Sequence, residues 1–443
     1  MPLPYNRFVK QTTIVSAASD SNDGLDPLGC ALATASYDHT GGGTGERQLT
    51  AGSGTPFANV QAGDYIYLTF GGGTSVDGLY EIETASSSTV VLLAADAGLI
   101  DDSTSNVTSS DGPWLTLQHS LDNVAVDETV VWCDDGDGTG TDWEPAVTLD
   151  VDAVNGAFGT PIEIRGGTSR GVVDGATFAT VSGAALGLTD DLMEIGTGAS
   201  TIQYYIWRDI RFTGATRYNV FNDNGNCAYH QWERCRIDNA DSHGMARESA
   251  FWTMSDCEID SNGGNGLMLD NTTQSNRAQA HIIRCRFHDN TTHGMVYSQS
   301  MFFLGCLFYD NGSDGLHAYR MSHAANIDSC VFEGNGGDGL GTGSTQSTVA
   351  APHAISNSVF ANNGAYGIGW DSYYEWQSIK NCFFYNNTSG HYTSNLDEVV
   401  AAPGSSNTEG TDPEFTSLTD GSEDFTPADG SPLIDAGIEV PTA

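Results

Sequence analysis

Four ionisable side chains occupy one position of a recurring motif, directly before a glycine: His243, His293, Asp314 and Asp338. A carboxyl group and an imidazole held close together can act as general acid and general base on a glycosidic bond. The other interpretation is a solvated polar edge beside a turn, because Asp, Asn and His are common outside regular strands. These four residues are therefore candidates for a catalytic site, and the sequence alone supports no firm catalytic assignment.

Aromatic residues make a second candidate, a surface for binding substrate. Their rings offer rigid apolar faces that can stack on sugar rings. The same rings could instead cover the protein or contact a partner subunit. The six candidates are Tyr297, Tyr319, Trp370, Tyr373, Tyr374 and Trp376.

Arginines flank two cysteines of the motif and raise the question of a polysaccharide lyase, which needs a base beside a uronate. Arg234 and Arg236 flank Cys235, and by alternation they face outward, as do Arg284 and Arg286. They could bind an acidic glycan, or they could offset neighbouring Asp and Glu side chains. The second interpretation is favoured, since no lyase motif accompanies them.

A repeat of 21 to 28 residues sets the spacing of these side chains. Each copy is counted from a first position, which is usually Cys. In most copies an Ile or Phe stands two residues after this position, an Asn five residues after it and a Gly nine residues after it. Cys and Phe two residues apart share one face of a strand, whereas Asn and Gly are typical of turns. The first position is occupied by Cys235, Cys257, Cys285, Cys306, Cys330, Ser358 and Cys382.

A single copy of such a repeat cannot bury its apolar face, but stacked copies bury it against one another. The predicted fold is all-β: a right-handed, single-stranded parallel β-helix (a solenoid) with a small inserted N-terminal β-domain. We expect Cys and Phe ladders in the interior and an Asn ladder whose side-chain amides bond from coil to coil. A line of single thiols does not form a tetrahedral cage, so the cysteines are not predicted to bind metal.

Three stretches carry a resemblance to a known family. They are the repeat over about 200–395, the segments SDSNDGLDP (19–27) and GPWLTLQHSLDNVAVDETVVW (112–132), and the segment DFTPADGSPLIDAG (424–437). The chain resembles the right-handed parallel β-helix repeat family, in the superfamily that includes pectate-lyase-like proteins and many phage tailspikes. In that family the first two segments are nearly contiguous, whereas residues 28–111 separate them here. The resemblance is specific for the fold. It indicates little about the function, because this fold hosts many functions.

These stretches divide the chain into four predicted parts. Residues 1–27 form an N-terminal arm, and residues 28–111 form the small inserted β-domain. Residues 112–395 form the β-helix, which begins with a short capping helix after Pro113. Residues 396–443 form a C-terminal capping segment.

The charge of the chain argues against two classes of partner. It has 57 acidic and 16 basic residues and a net charge of -41, so it should repel nucleic acid and anionic membrane surfaces. No apolar run is long enough for a membrane-spanning helix or a secretory leader. We therefore expect synthesis in the cytoplasm, with reduced cysteines, and a final location in a virion or outside the cell after lysis.

No cofactor is predicted. The loop DDGDGTGTDWE (134–144) imitates the start of an EF-hand, but the twelfth position is Ala146 where that motif has Glu. Incidental binding of Ca²⁺ is the most that this loop indicates.

The favoured function is a structural or receptor-binding virion protein, such as a phage tailspike, fibre or capsid-attached appendage, with glycan binding as part of that role. The resemblance implies a homo-oligomer, with a trimer favoured, and other virion proteins or a surface polysaccharide as partners. One alternative is a polysaccharide lyase or glycoside hydrolase that acts on an extracellular glycan. Another is a bacterial cell-surface or filament-forming protein.

Overall fold

The structure is a computed structural model, and its chain divides into two compact units. Unit 1 comprises Met1–Trp143, Leu149–Val181 and Tyr204–Ile210, and unit 2 comprises Glu144–Thr148, Ser182–Gln203 and Arg211–Ala443. The residues that the structure describes are 7–9, 35–38, 48–51, 57, 60–62, 65–70, 78–87, 90–93, 103–109, 117–133, 143, 145, 147–152, 155–167, 178–187, 190–196, 202–222, 227–246, 251–269, 279–298, 300–319, 325–342, 353–370, 376–402, 405–419 and 421–434.

Unit 1 contains a closed barrel of six antiparallel strands, all within the segment predicted to be a small β-domain. Alternate side chains such as Ile66 and Leu68, or Tyr80 and Ile82, are buried inside it, which is the period of two that a barrel interior requires. The boundaries predicted for this domain stay a prediction. The strands are Ala35–Asp38, Gln48–Ala51, Tyr65–Phe70, Gly78–Ser87, Val90–Leu93 and Ser103–Ser109.

Unit 1 also contains parallel strands and one helix, Leu117–Asn123. The helix buries Leu117 and Leu121, and its Ser120 accepts a hydrogen bond of 3.0 Å from the indole N–H of Trp132. Four strands pair side by side in the order Arg7–Val9, Thr129–Cys133, Ile162–Gly167 and Tyr205–Arg208. The unit is completed by the strands Leu149–Val151 and Ala179–Ser182.

Unit 2 is a right-handed parallel β-helix with three sheets, as the repeat predicts. Sheet 1 contains Gln231–Glu233, Trp252–Ser255, Gln279–Ile283, Ser300–Leu304, Ala325–Asp328, His353–Ser356 and Trp376–Lys380. Sheet 2 contains Ile210–Thr213, Arg236–Asp238, Glu258–Asp260, Arg286–His288, Leu307–Tyr309, Val331–Glu333, Val359–Ala361, Phe383–Tyr385 and Thr408–Glu409. Sheet 3 contains Met193–Ile195, Val220–Asn222, Met245–Ala246, Leu267–Met268, Met295–Tyr297, Leu316–Ala318, Leu340–Thr342, Tyr366–Gly369 and Gly390–Tyr392.

The predicted interior ladders are present. From Phe287 to Phe384 five phenylalanine rings stack coil on coil, with centroids 4.7–5.3 Å apart and planes within 10° of parallel. The cysteines beside them are buried and unpaired, and burial raises the pKa of the Cys382 thiol to about 12. These thiols therefore serve as small apolar side chains in a narrow part of the coil.

The asparagine ladder runs from Asn262 to Asn387. Each side-chain N–H donates to the side-chain oxygen of the next asparagine over 2.8–3.0 Å, and every member is buried. Asn and Gly tolerate a left-handed backbone. In the coils this conformation falls on the residue before each ladder asparagine, for example Ser261 and Asp310. Glycine is required for space, since a Cβ at Gly266 would stand 2.6 Å from the carbonyl oxygen of Gly294.

The C-terminal part of unit 2 begins with the short helices Ser394–Leu396 and Asp397–Val400 and continues into an antiparallel pair of strands, Phe415–Ser417 and Asp424–Pro427. This pair lies on the outer face of sheet 2, where the ring of Phe425 is 4.9 Å from that of Tyr309. That the segment also covers the last coil stays a prediction. One further short helix, Gly183–Ala185, precedes the first strand of sheet 3.

The helices in the described part of the chain are all too short or too polar to cross a membrane.

Candidate functional site

The four candidate acid–base residues lie in one column at the turn that leads into sheet 3. We call this column the turn strip, defined as His243, Asn265, His293, Asp314, Asp338 and Tyr366. In each coil the strip residue precedes a glycine whose small size lets the coils approach, so successive members stand one coil apart. The strip is less exposed than the sequence predicts, since Asn265 and Asp314 are only 6% and 8% exposed.

Each strip side chain from His243 to Asp338 accepts a hydrogen bond from the backbone N–H of the next strip residue. The imidazole Nδ1 of His243 accepts from Asn265 over 2.9 Å, and that of His293 accepts from Asp314 over 3.1 Å. The Oδ1 atoms of Asp314 and Asp338 accept from the following coil over 2.8 Å each. These side chains therefore hold the coils in register, a structural use that the sequence analysis did not anticipate.

The second carboxylate oxygen of Asp314 is engaged by histidines. Its Oδ2 lies 2.6 Å from Nδ1 of His317 and 3.4 Å from Nδ1 of His293. His317, two residues after the ladder glycine, was not among the predicted site residues. The two imidazole rings are 4.4 Å apart between centroids.

Burial shifts the titration of the strip. It lowers the pKa of His293 to about 4, with help from His317, and it also lowers the pKa of His243. Burial raises the pKa of Asp338 to about 6, against a hydrogen bond from the amide of Tyr366 and with help from Asp314. A carboxyl that holds its proton near neutral pH is a feature of general acids. The strip thus brings the four candidates together in a column, while its backbone bonds occupy one acceptor atom of each.

The six aromatic candidates do not form one surface. Tyr297 and Trp370 are 1% and 3% exposed, so their rings pack inside the coil. The reason is alternation: both stand three residues after a ladder glycine, in the inward column that also holds Leu269 and Ala318. Tyr319 is half-buried, while Tyr373, Tyr374 and the side chain of Trp376 lie outside the described residues.

An open cleft of about 310 Å³ lies instead on the outer face of sheet 1. Strand pairing places His281 beside Phe302 and Gln279 beside Ser300, and the rings of His281 and Phe302 are 5.6 Å apart. Asn326 follows Phe302 in the same outward column. The described lining is Gln279, Ala280, His281, Ser300, Met301, Phe302 and Asn326, which contains no carboxylate and no guanidinium or ammonium group.

Two exposed aromatic rings extend this face toward the earlier coils. Tyr229 and Phe251 stack with centroids 5.5 Å apart and planes 9° from parallel, and they are 39% and 45% exposed. Phe251 stands level with Gln279 in the strand register. Both aromatic residues have left-handed backbones, with φ of 62° and 55°, which is costly for bulky side chains. We call the whole face the sheet-1 surface: Tyr229, Gln231, Phe251, Thr253, Gln279, His281, Ser300, Phe302 and Asn326.

The sheet-1 surface is not among the predicted sites, although the repeat contains a signal for it. The residue three before each ladder cysteine is buried, as Met254 and Phe303 show. The residue four before the cysteine must therefore face outward, and that column reads Gln231, Thr253, His281, Phe302 and Asn326.

Two of the four arginines that flank the cysteines, Arg236 and Arg284, pair with carboxylates, which agrees with the favoured interpretation of the arginine pattern. Arg236 contacts Asp238 and Asp260 over 2.8 and 2.9 Å, and Arg284 contacts Asp256 over 2.7 Å. Beside them, His288 lies 3.1 Å from Glu258. We call Glu258, Asp260 and His288 the sheet-2 cluster. The calcium-like loop 134–144 lies, apart from Trp143, outside the described residues.

Comparison with known proteins identifies a family and several similar folds. The model of the right-handed beta helix region matches residues 82–323, more than half of the chain. The crystal structure of pectate lyase Pel9A is similar, with a TM-score of 0.51 and 15% identity over 75% of this chain and 88% of that one. An alginate lyase from Paenibacillus sp. str. FPU-7 has a TM-score of 0.42 and 13% identity over 66% of this chain and 94% of that one.

A third similar structure is ORF18 of Geobacillus virus E2, with a TM-score of 0.38 and 13% identity over 57% of this chain and 54% of that one. No curated protein matches the chain. At 15% identity the pectate lyase structure shows a common fold and nothing of the function.

Proposed function

The chain belongs to the right-handed beta helix family, and we propose that it is a glycan-binding member that holds an uncharged polysaccharide on its sheet-1 surface without cleaving it. One observation carries this proposal. The cleft on sheet 1 combines an aromatic ring, an imidazole, amides and a hydroxyl, and its described lining carries no carboxylate.

The composition of the sheet-1 surface suits a sugar chain. Phe302, Tyr229 and Phe251 present ring faces that stack on pyranose rings, and the amides of Gln279 and Asn326 can donate to and accept from hydroxyl groups. Pockets that bind small ligands have this mixture of apolar walls and few polar groups. Aromatic and polar residues alternate over several coils, so the face is long enough for several sugar units.

The charge of the protein favours an uncharged glycan. A net charge of -41 repels a polyuronate. A site for a uronate would offset this repulsion with arginine or lysine, and neither is present in the described lining of the cleft. Outside the cleft, Arg236 and Arg284 are already paired with Asp238, Asp260 and Asp256.

Catalysis is less well supported than binding. General acid–base cleavage requires a carboxyl group or another proton donor within hydrogen-bond reach of the glycosidic oxygen. The sheet-1 surface offers only the imidazole of His281. The carboxyl groups of Asp314 and Asp338 belong to the turn strip, at the turn that leads into sheet 3, where each accepts a hydrogen bond from a backbone N–H.

We also propose the finer role predicted from the sequence, a receptor-binding virion protein such as a tailspike, fibre or capsid-attached appendage, assembled as a homo-oligomer. The family fold supports a rigid protein, and the buried ladder cysteines Cys257, Cys285, Cys306, Cys330 and Cys382, which are free thiols, support folding in a reducing compartment. Mass spectrometry of purified virus particles from the source should detect the chain. Absence from the particles, or unlimited end-to-end assembly of the purified protein in light scattering, would favour the surface or filament alternative.

The test of glycan binding uses the full chain and a panel of uncharged glucans, mannans and galactans beside polyuronates of matched length. We expect binding to at least one uncharged glycan, and Phe302→Ala should weaken it by roughly five- to thirty-fold, the effect of one to two kcal/mol. Phe158→Ala is the matched control, because Phe158 is 91% exposed and lies in unit 1.

Binding only to polyuronates would contradict the proposal. So would equal binding by the Phe302→Ala and Phe158→Ala variants. Release of reducing ends or unsaturated products from a bound glycan would instead support the enzyme alternative.

A further inference from the structure

Two strip residues, His293 and Asp314, form with the neighbouring His317 a group of side chains that the glycan proposal does not explain, and the coil register uses only one acceptor atom of each strip residue. His293, Asp314 and His317 each offer a ligand atom, and these atoms lie within 4.8 Å of one another. We propose that these three residues bind one transition-metal ion of the zinc class, with solvent completing its coordination.

The donor atoms are of the right kind for such an ion. Imidazole nitrogen and carboxylate oxygen together suit zinc and its neighbours, whereas calcium and magnesium prefer oxygen alone. Sites with three protein ligands leave at least one position for water. The three side chains are 22%, 11% and 16% exposed, so an ion can reach them from solvent.

The distances are close to those of a bound site. Zinc at about 2.0–2.1 Å from each donor sets neighbouring donors roughly 3.3 Å apart in a tetrahedron. Oδ2 of Asp314 and Nδ1 of His293 are 3.4 Å apart. Oδ2 of Asp314 and Nδ1 of His317 are 2.6 Å apart, the distance of a hydrogen bond. An ion would take the place of the proton in that bond, and the imidazole of His317 would then carry its proton on Nε2. The two ligand atoms would separate by less than about 1 Å.

Binding of the ion costs the backbone of the strip one hydrogen bond. Oδ1 of Asp314 still accepts the N–H of Asp338, so the strip remains joined at that coil. Coordination through Nδ1 of His293 gives up one hydrogen bond, that from the N–H of Asp314. Two glycines leave the neighbouring space open: a Cβ at Gly341 would collide with Oδ2 of Asp314, and one at Gly369 with the carboxylate of Asp338.

The sheet-2 cluster shows why composition alone does not define the site. Glu258, Asp260 and His288 also offer three ligand atoms within 4.8 Å. There Arg236 neutralises Asp260 over 2.9 Å, and both ring nitrogens of His288 already contact Glu258 and Asp289. Within the described part of the chain, Asp314 pairs with no Lys or Arg, and the side chains nearest its carboxylate are the two histidines. The uncompensated cluster is therefore the one with affinity left for a cation.

The experiment is calorimetric titration of the tag-free full chain with Zn²⁺, repeated with Co²⁺ for its visible spectrum. We expect one ion per chain, with Co²⁺ bands of nitrogen and oxygen ligation. Asp314→Asn and His317→Ala should each weaken binding by at least about ten-fold, the scale seen when even an outer residue is lost. Asn at position 314 keeps an acceptor for the next coil, as Asn265 does in the same column.

His288→Ala in the sheet-2 cluster is the matched control and should bind zinc like the unmodified chain. Circular dichroism confirms that each variant folds. Three results would overturn the proposal: no binding by the unmodified chain, binding by Asp314→Asn and His317→Ala as tight as that of the unmodified chain, or a thiolate-to-cobalt absorption band. Loss of binding in His288→Ala alone would also overturn it.

Discussion

The turn strip and the sheet-1 surface both face outward from the coils of unit 2, yet their side chains are used differently. In the strip, one acceptor atom of His243, Asn265, His293, Asp314 and Asp338 holds the backbone of the next coil. On the sheet-1 surface, backbone groups pair within the sheet, and the side chains of Gln279, His281 and Asn326 are exposed.

The comparison shows that side chains of the right chemical type are not always available to a ligand. The strip has the residue types of an acid–base site, but its side chains are largely buried and bond to the backbone, where they keep the coils in register. The sheet-1 surface has no acid–base pair, and its exposed rings and amides can bind a ligand. Backbone groups at the turns need partners because they lie outside the sheets, whereas strands already satisfy theirs.

The largest expected difference between the two regions is in stability. Asp314→Ala leaves the N–H of Asp338 without its acceptor, so we expect a loss of roughly 1–3 kcal/mol in the free energy of unfolding. Asp314→Asn should lose less, since its side-chain oxygen still accepts. Urea denaturation measures both, and His281→Ala on the sheet-1 surface should stay within about 0.5 kcal/mol of the unmodified chain. An equal loss in the Ala and Asn variants would argue against the hydrogen-bonding role of the strip.

Substitutions in the two regions should have the opposite order of effects on glycan binding. His281→Ala should weaken binding of the uncharged polysaccharide by roughly five-fold, the effect of about 1 kcal/mol, while Asp314→Asn leaves it unchanged. Microscale thermophoresis or calorimetry with one preparation of glycan gives both values. If Asp314→Asn weakened binding as much as His281→Ala, the two regions would not be functionally distinct.

The strip should also carry a pH dependence that the sheet-1 surface lacks. Burial raises the pKa of Asp338 from 3.8 to about 6, so the unfolded chain releases this proton at lower pH than the folded chain does. The stabilising contribution of Asp338 is thus complete below pH about 4 and is lost as the pH rises through about 6.

Asp338→Asn removes this dependence and keeps an acceptor for the N–H of Tyr366. The Tm of the variant relative to the unmodified chain, measured with a chelator present, should therefore rise between pH about 4 and about 7 and then level off. A difference that stays constant with pH would contradict the titration assigned to Asp338.

The smallest expected effect concerns salt. The sheet-1 surface carries no formal charge at neutral pH when His281 is neutral, so screening has little to act on. The Kd for an uncharged glycan should change by less than about two-fold between about 0.1 M and about 1 M salt. A strong weakening with salt would indicate that charged residues elsewhere hold the ligand.

Much of the fold is predictable from the repeat, because its interior positions must match from coil to coil. Cys285, Phe287 and Asn290 each stack on the same residue type in the next coil, and a stacked ladder imposes a strict spacing. The position of the strip follows from the ladder glycine for the same reason.

The use of the exposed positions is less predictable. Outward side chains such as Phe302 and His281 need not match their neighbours in the column. The residue type at this position therefore changes from one copy of the repeat to the next. The prediction of Tyr297 and Trp370 as surface aromatics is wrong, because both stand three residues after a ladder glycine, where alternation turns the side chain inward. The pairing of Asp314 with His317 depends on a side-chain direction that spacing alone does not give.

The most direct test of the central claim is hydrogen–deuterium exchange of the full chain with and without a bound uncharged glycan. The account predicts slower exchange in the sheet-1 strands Gln279–Ile283 and Ser300–Leu304 and no change in the sheet-3 strand Leu316–Ala318 beside the strip. Protection confined to Leu316–Ala318 would contradict it and would place the glycan on the turn strip.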